Sequence, residues 1–318
     1  MPVSFGSWLE PMQSRCEITV FGEVLFDCFP DGTEVLGGAP FNVAWHLRGF
    51  GLSPRFVSRV GRDALGERIL HAMERWGLDA STLQKDTTHA TGRVSVTLVD
   101  GEPRYEIVAG CAYDFIDPPE AGTIPTSGLL YHGTLALRHP PSAAALASLT
   151  SRHGGPIVLD VNLRAPWWSI ETVLPLVDGA HHVKLNATEL ALLADEGTPE
   201  GDERSEDDGA ALAACMRRFA ECHRLETLVV TRGALGALLW RAGEIVAVAP
   251  AAASPVVDTV GAGDGFAAVL LLGLSQGWAW ADTLARAGDF AAALVSRRGA
   301  TIDDPSVYER FLTAWGFA

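Results

Sequence analysis

Between Asp258 and Gly265 the chain reads Asp-Thr-Val-Gly-Ala-Gly-Asp-Gly. Two small-residue turns and a carboxylate stand directly in front of the apolar run Phe266–Leu274, the pattern of a tight loop feeding a helix N-terminus. Free backbone N–H groups and the positive end of the helix dipole make such a place an anion site. Asp264 puts a candidate base beside the anion. A base next to a phosphate cradle is what phosphoryl transfer to a hydroxyl requires. The plain alternative is a Gly-rich loop that merely enters a buried helix. The chain has no Walker loop and none of the protein-kinase loops, so neither of those nucleotide sites is available.

Other chemistry-bearing residues lie far from this stretch. Asp27 closes the strand Val24–Asp27, and a carboxylate at the C-terminal end of a parallel strand faces the usual ligand crevice. The run Gly37-Gly38-Ala39-Pro40-Phe41-Asn42-Val43-Ala44 offers two glycines for close backbone approach and an amide that both donates and accepts. Asn186 and Glu189, three apart after the strand Val183–Leu185, can face one side of a helix start. Thr231-Arg232-Gly233 ends another strand, and Asp160-Val161-Asn162-Leu163-Arg164 a third.

Asp258–Asp264 resembles the C-terminal signature of the ribokinase-like sugar kinases, the PfkB carbohydrate kinase family. Gly37–Ala44, followed by Val60-Gly61-Arg62-Asp63 and Gly66, resembles its N-terminal signature. The likeness runs from about Glu17 to Arg310, and the order and separation of the two signatures are those of the family. It implies an ATP-dependent sugar kinase with Asp264 as general base. The amides of Gly261, Ala262 and Gly263 would stabilise the transferring phosphoryl group. Asp27, Gly37, Gly38 and Asn42 would hold the sugar. Glu189 would help place magnesium, through water if need be, and Asn186 the nucleotide phosphates. Thr231 and Gly233 would contact phosphate. Asp258 and the Val260 carbonyl match a monovalent-cation position, potassium being the candidate; a loop-capping carboxylate is the other reading of Asp258.

Asp160–Arg164, with Trp167 and Trp168 nearby, and Phe26–Gly32 are similar to the fructokinase version of the fold. Arg164 would approach the phosphates or the sugar as a fixed cation. The chain departs from the family pattern in two places. Ala39 stands where ribokinases carry Lys, which argues against ribose. Val108-Ala109 stands where fructokinases and ketodeoxygluconate kinases often carry Arg late in the second flap strand; Arg104 comes several residues earlier. Tyr105 is a candidate flap contact or a packing aromatic. The expected substrate is therefore fructose or a close relative. A kinase for ketodeoxygluconate, ribose or a nucleoside, and a non-catalytic sugar or nucleotide binder, stay open as alternatives.

The elements that must position these residues follow from periodicity. Strand candidates at Glu17–Phe29, Phe56–Val60, Leu129–Leu137, Ile157–Val161, Val183–Leu185 and Leu228–Thr231 alternate with helical patterns. The helical patterns are Pro40–Gly51, Asp63–Trp76, Ser142–Arg152, Ile170–Asp178 and Asp208–His223. Alternation of this kind predicts an α/β fold, a mostly parallel central sheet with helices on both faces. Arg93–Val99 and Arg104–Val108 flank an Asp100-Gly101 turn and predict a hairpin. With Val35–Gly38 it would form a small β lid, drawn from about 31–40 and 90–112. A second hairpin is expected at Ala237–Trp240 and Ile245–Val248. The acidic stretch Asp195–Asp208 reads as a solvated loop. Residues 1–16 read as a loose extension before a kinase domain over 17–318, with Met12 a candidate alternative start.

The chain has 318 residues and 48% hydrophobic content, enough for a large core. A net charge of −15 argues against nucleic acid or anionic membrane as partner, while leaving ATP compatible through magnesium and local amide dipoles. No leader segment is evident, and the longest apolar run is too short to span a bilayer. Five irregularly spaced cysteines fit a reducing cytoplasm, the expected location. The resemblance allows a lid-mediated homodimer; exposed lid edges suit a monomer equally. Gly273-Leu274-Ser275-Gln276-Gly277 matches a nucleophile elbow in letters, but the preceding residues read as helix, so it is expected to end that helix. Cys215, Cys222 and His223 lie on one predicted helix at no common zinc spacing.

Overall fold

The computed structural model describes residues 16–99, 102–194, 206–249 and 256–317. The chain opens with β1 (Ile18–Phe21), β2 (Leu25–Cys28), β3 (Glu34–Gly37) and α1 (Ala39–Gly49). Pro40 sits in the first turn of α1, where its missing N–H costs nothing. β4 (Arg55–Gly61) leads to α2 (Ala64–Trp76). Asp63 caps α2 by accepting from Gly66 N at 2.9 Å, and Gly77 ends it in the left-handed region at φ 69°. β5 (Leu83–Asp86), β6 (Gly92–Val99) and β7 (Glu102–Ile107) follow, then β8 (Leu129–His132), α3 (Pro140–Thr150), β9 (Ile157–Asp160) and α4 (Ile170–Asp178). The second half holds β10 (His182–Asn186), α5 (Ala187–Leu193), α6 (Glu206–Cys222) and β11 (Thr227–Thr231). It closes with β12 (Ala237–Arg241), β13 (Glu244–Val248), α7 (Ala262–Gln276), α8 (Trp280–Val295) and α9 (Pro305–Ala314).

Nine strands form the central sheet in the order β13-β12-β11-β10-β9-β8-β1-β4-β5. It is parallel from β11 through β5; β12 and β13 extend it as an antiparallel hairpin. Successive strand residues feed opposite faces, as the two-residue period requires. Val20, Tyr131 and Val229 join one core with α1, α7 and α8, while Phe21, Leu130 and Val230 join the other with α3, α4 and α6. This is the mostly parallel sheet with helices on both faces that the alternation predicts.

The second sheet is the lid, ordered β3-β2-β6-β7. Its hairpin pairs Val94 with Ile107 and Val96 with Tyr105; the Asp100-Gly101 turn lies outside the described residues. One expectation changes here. Glu17–Phe29 contains the first strand, as expected, but also a second that belongs elsewhere: the chain leaves the central sheet after Phe21, and β2 pairs with β3 and β6 in the lid. Asp27 therefore stands on the lid floor and not at the end of a central strand. The break falls at Gly22, φ 154°, where a methyl would lie 2.3 Å from the Pro40 ring. Likewise the Leu129–Leu137 run stops as strand at His132 and turns into a short 3-10 helix at Leu135–Arg138.

Residues 1–15 and 195–205, which hold Met12 and most of the acidic stretch, lie outside the described residues. The Gly-x-Ser-x-Gly letters end α7: Ser275 is buried and donates to Leu272 O, and Gly277 is its left-handed cap. None of the five cysteines is in a disulfide, and no His/Cys/Asp/Glu cluster among the described residues could hold a metal. No helix among them is long and apolar enough to cross a membrane.

Candidate active site

The parallel strands end on one side of the sheet, the side where open α/β sheets bind ligands, and Asp160, Asn186 and Thr231 stand at those ends. The N-terminus of α7 carries the candidate anion cradle. Gly261 caps the helix at φ 80°, a conformation that side chains rarely tolerate. The backbone also closes on it: a methyl at Gly261 would lie 2.5 Å from Ala300 Cα. Gly261→Ala is therefore expected to displace the cradle. A fall in kcat on the order of 100-fold should accompany a modest loss of stability, about 1–3 kcal/mol. Steady-state kinetics beside thermal unfolding check it, and a variant with full kcat would take the cradle role from this turn.

Asp264 occupies the first turn of α7, half-buried. Its Oδ2 accepts a hydrogen bond from Asn42 Nδ2 at 2.7 Å, across 222 residues of sequence. Asn42 reaches it because Gly38 opens α1 and accepts from the Asn42 N–H at 2.9 Å. The two signature motifs thus meet at one carboxylate. Burial pushes the Asp264 carboxyl up to about 6. The Asn42 hydrogen bond pulls the other way, Asp160 adds to the rise, and Lys184 and Arg164 oppose it. A carboxylate tuned this way is ionised near pH 7 and is a better proton acceptor than an ordinary one.

Beneath the cradle lies a charged pair that the sequence reading missed. Lys184 Nζ donates to both Asp160 oxygens, at 2.9 and 2.8 Å, and Tyr131 OH donates to Asp160 Oδ2 at 3.2 Å. Lys184 is 6% exposed, and its ammonium lies 3.7 Å from where a Gly263 methyl would sit. Burial alone would lower its pKa, yet the Asp160 charge and hydrogen bond win, so the net shift is upward. The available signal was a lone Lys between Val183 and Leu185 in a strand that otherwise reads as buried.

On the lid side, Asp27 is half-buried, and a Gly37 methyl would lie 3.7 Å from its Oδ2. Burial raises the Asp27 carboxyl, and Arg164 opposes the rise. Gly38 sits at φ 107°, with a would-be methyl 2.8 Å from Glu23 O. Arg164 is exposed on the loop after β9, and its charge acts on both Asp27 and Asp264. Tyr105 is 62% exposed on β7 and is not buried as a packing aromatic would be.

Opposite the lid, Asn186 caps α5, and Glu189 answers in a capping box: Asn186 Oδ1 accepts from Glu189 N, and Glu189 Oε2 from Asn186 N, both at 2.9 Å. Glu189 Oε1 accepts from Leu163 N at 2.8 Å, so this buried carboxylate also fixes the Arg164 loop. Its remaining lone pairs fit the water shell that magnesium prefers to keep. Thr231 ends β11 beside this cap, Oγ1 donating to Leu185 O at 3.4 Å, and Gly233 starts the 3-10 turn beyond it. Asp258 staples its loop, accepting from Val260 N at 3.0 Å and Gly299 N at 3.2 Å; Val260 itself is exposed.

Residues 16–307 match the pfkB family of carbohydrate kinases. Fructokinase of Klebsiella pneumoniae is 30% identical over 277 residues, 81% of this chain and 84% of that protein. Aminoimidazole riboside kinase of Salmonella typhimurium is 26% identical over 324 residues, 96% of this chain and 98% of that protein. Among solved structures, a double-mutant fructokinase from Vibrio cholerae, with fructose, ADP and a potassium ion bound, superposes with a TM-score of 0.76 at 25% identity. That match covers 94% of this chain and 99% of that one. With the family match spanning both signatures and the geometry joining them at Asp264, the chain belongs to the pfkB family of carbohydrate kinases.

Proposed function

We propose that this kinase transfers the γ-phosphate of magnesium-ATP to a hydroxyl of fructose. The observation that carries the reading is the Asn42–Asp264 hydrogen bond, which seats the base of one motif against the sugar-facing helix of the other. Asp27, Gly37, Gly38 and Asn42 hold the sugar under the lid. Asp264 takes the proton from the attacking hydroxyl. The amides of Gly261, Ala262 and Gly263 receive the charge that develops on the phosphoryl group, with Lys184 beneath them and Arg164 entering from the lid side. Asn186, Thr231 and Gly233 line the nucleotide phosphates, and Glu189 holds magnesium's water; the metal, when bound, neutralises phosphate charge. Closure of the lid excludes water and limits wasteful ATP hydrolysis.

Fructokinase relatives at 30% identity support the sugar. A second reading, a nucleoside such as aminoimidazole riboside, is favoured by the longer match to that kinase. A panel of sugars and nucleosides with purified protein separates them: fructose is expected to give the highest kcat/KM. Turnover of none of them would sink the kinase assignment and leave a non-catalytic binder. Asp258 and the Val260 carbonyl are proposed to hold potassium. Titration with potassium chloride against tetramethylammonium chloride should raise the rate several-fold; equal rates in both salts would leave Asp258 as a loop staple only.

A further inference from the structure

Besides Asn42 Oδ1, which the kinase reading already gives to the sugar, three buried polar atoms beside the sugar pocket have no hydrogen-bond partner among the described residues: Glu23 Oε2, Arg138 Nη1 and Tyr113 OH. Such atoms are uncommon in folded proteins and costly when left unmade. Glu23 follows β1 at the sheet's C-terminal edge and is 3% exposed. Its carbonyl lies directly under Gly38, and its carboxyl feels the charges of Asp264, Arg164 and Arg138. Arg138 ends the 3-10 turn after β8, its side chain 1% exposed. Nε and Nη2 fork onto Asp114 at 2.7 and 2.9 Å, and Nη2 also donates to Val108 O at the lid root, at 2.6 Å. Its guanidinium lies over Trp167, on the Arg164 loop, and over Tyr113. The Tyr113 ring lies under Gly92, where β6 begins; a methyl there would meet it at 2.6 Å.

An acceptor, a donor and a hydroxyl are therefore gathered between the Gly38 turn, the lid root and the Arg164 loop. A sugar hydroxyl answers such a set, because it donates one hydrogen bond and accepts others. We propose that Glu23, Arg138 and Tyr113 form the inner end of the sugar pocket and read hydroxyls remote from the one phosphorylated, selecting a neutral polyhydroxylated sugar over a sugar acid. The proposal rests on the kinase reading above and adds to it the residues that read the remote hydroxyls. Within this cluster a sugar carboxylate finds no spare cation, Arg164 lying on the exposed loop at the lid side. The Arg138 charge is already matched by the Asp114 fork. Asp27 and Asp264 repel a further negative group, and Val108-Ala109 at the lid root brings no cation to offset them.

The test crosses side-chain changes with the loss of single sugar hydroxyls. Glu23→Gln and the milder Tyr113→Phe are assayed on the best neutral substrate and on its mono-deoxy analogues. For the parent sugar, kcat/KM is expected to fall about 10- to 100-fold in Glu23→Gln, mostly through KM, with the KM for ATP unchanged. For the analogue lacking the hydroxyl that Glu23 holds, the same variant should lose less than about threefold, because the contact is already gone. Equal losses on every analogue, in both variants, would reduce the cluster to a structural role and overturn the proposal. So would a sugar acid turned over faster by the unmodified enzyme than any neutral sugar. If the unmodified enzyme phosphorylates nothing, the kinase reading fails first and this one with it.

Discussion

Asp264→Asn is expected to lower kcat by about 100-fold to about 10,000-fold while leaving sugar affinity within a few-fold of the unmodified enzyme. The substitution preserves shape. The carboxamide oxygen can still accept from Asn42 Nδ2, so the seat at the start of α7 stays occupied. What is lost is the only feature asparagine cannot copy, a site for the hydroxyl's proton. Sugar binding followed by calorimetry and turnover followed by ADP release separate the two effects. Near-normal turnover would remove Asp264 from the base role.

The same carboxylate predicts a pH profile. With its pKa raised to about 6 by burial, Asp264 is the working base only above that value, and kcat/KM should fall about tenfold per unit well below it. Asn42 supplies a hydrogen bond that favours the ionised form. Its loss in Asn42→Ala should move the acidic limb to higher pH, besides weakening sugar binding. The profile has to be taken where the protein remains folded. His46, His132 and His182 are held neutral by burial, each with its pKa lowered from 6.5 to about 4. The unfolded chain binds those protons first, so stability is undiminished above pH 6.5 and falls as pH drops from there toward 4. Recovery of the rate on return to neutral pH distinguishes titration of the base from acid unfolding.

The sheet and its helices were legible because βα alternation leaves a two-residue period beside a 3.6-residue one, with caps such as Asp63 and Gly77 at the joints. The site was legible where backbone must approach a ligand, since only glycine-rich turns such as Gly37-Gly38 and Gly261–Gly263 allow it. Three things were not readable. The strand break at Gly22 is set by packing against Pro40, a contact between segments that sequence does not pair. Glu189 has a further role that its sequence context does not show: both its oxygens accept from backbone amides, an arrangement fixed by the meeting of β9 and β10. Arg138 gives no local sign of function. Its importance comes from Val108 and Asp114, on the connection after β7, and from Trp167, on the loop after β9, segments distant from Arg138 in sequence.

Lys184 is the other residue whose loss should be severe. In Lys184→Met the side chain keeps its length and loses its charge, and Asp160 is left buried with Tyr131 as its remaining side-chain partner. Removing one member of a buried pair strands the other's charge, a cost of about 3–5 kcal/mol. Lys184→Met/Asp160→Asn removes both charges and should recover much of that stability. It should not recover the rate, because the ammonium beside Gly263 is still missing from the phosphate cradle. Chemical denaturation and kcat measured on the single and double variants therefore answer different questions. If stability and rate return together in the double variant, the pair is a structural staple. If stability returns alone, Lys184 supplies charge to the phosphoryl group in flight, and Asp160 serves to hold that ammonium in place and charged within the core.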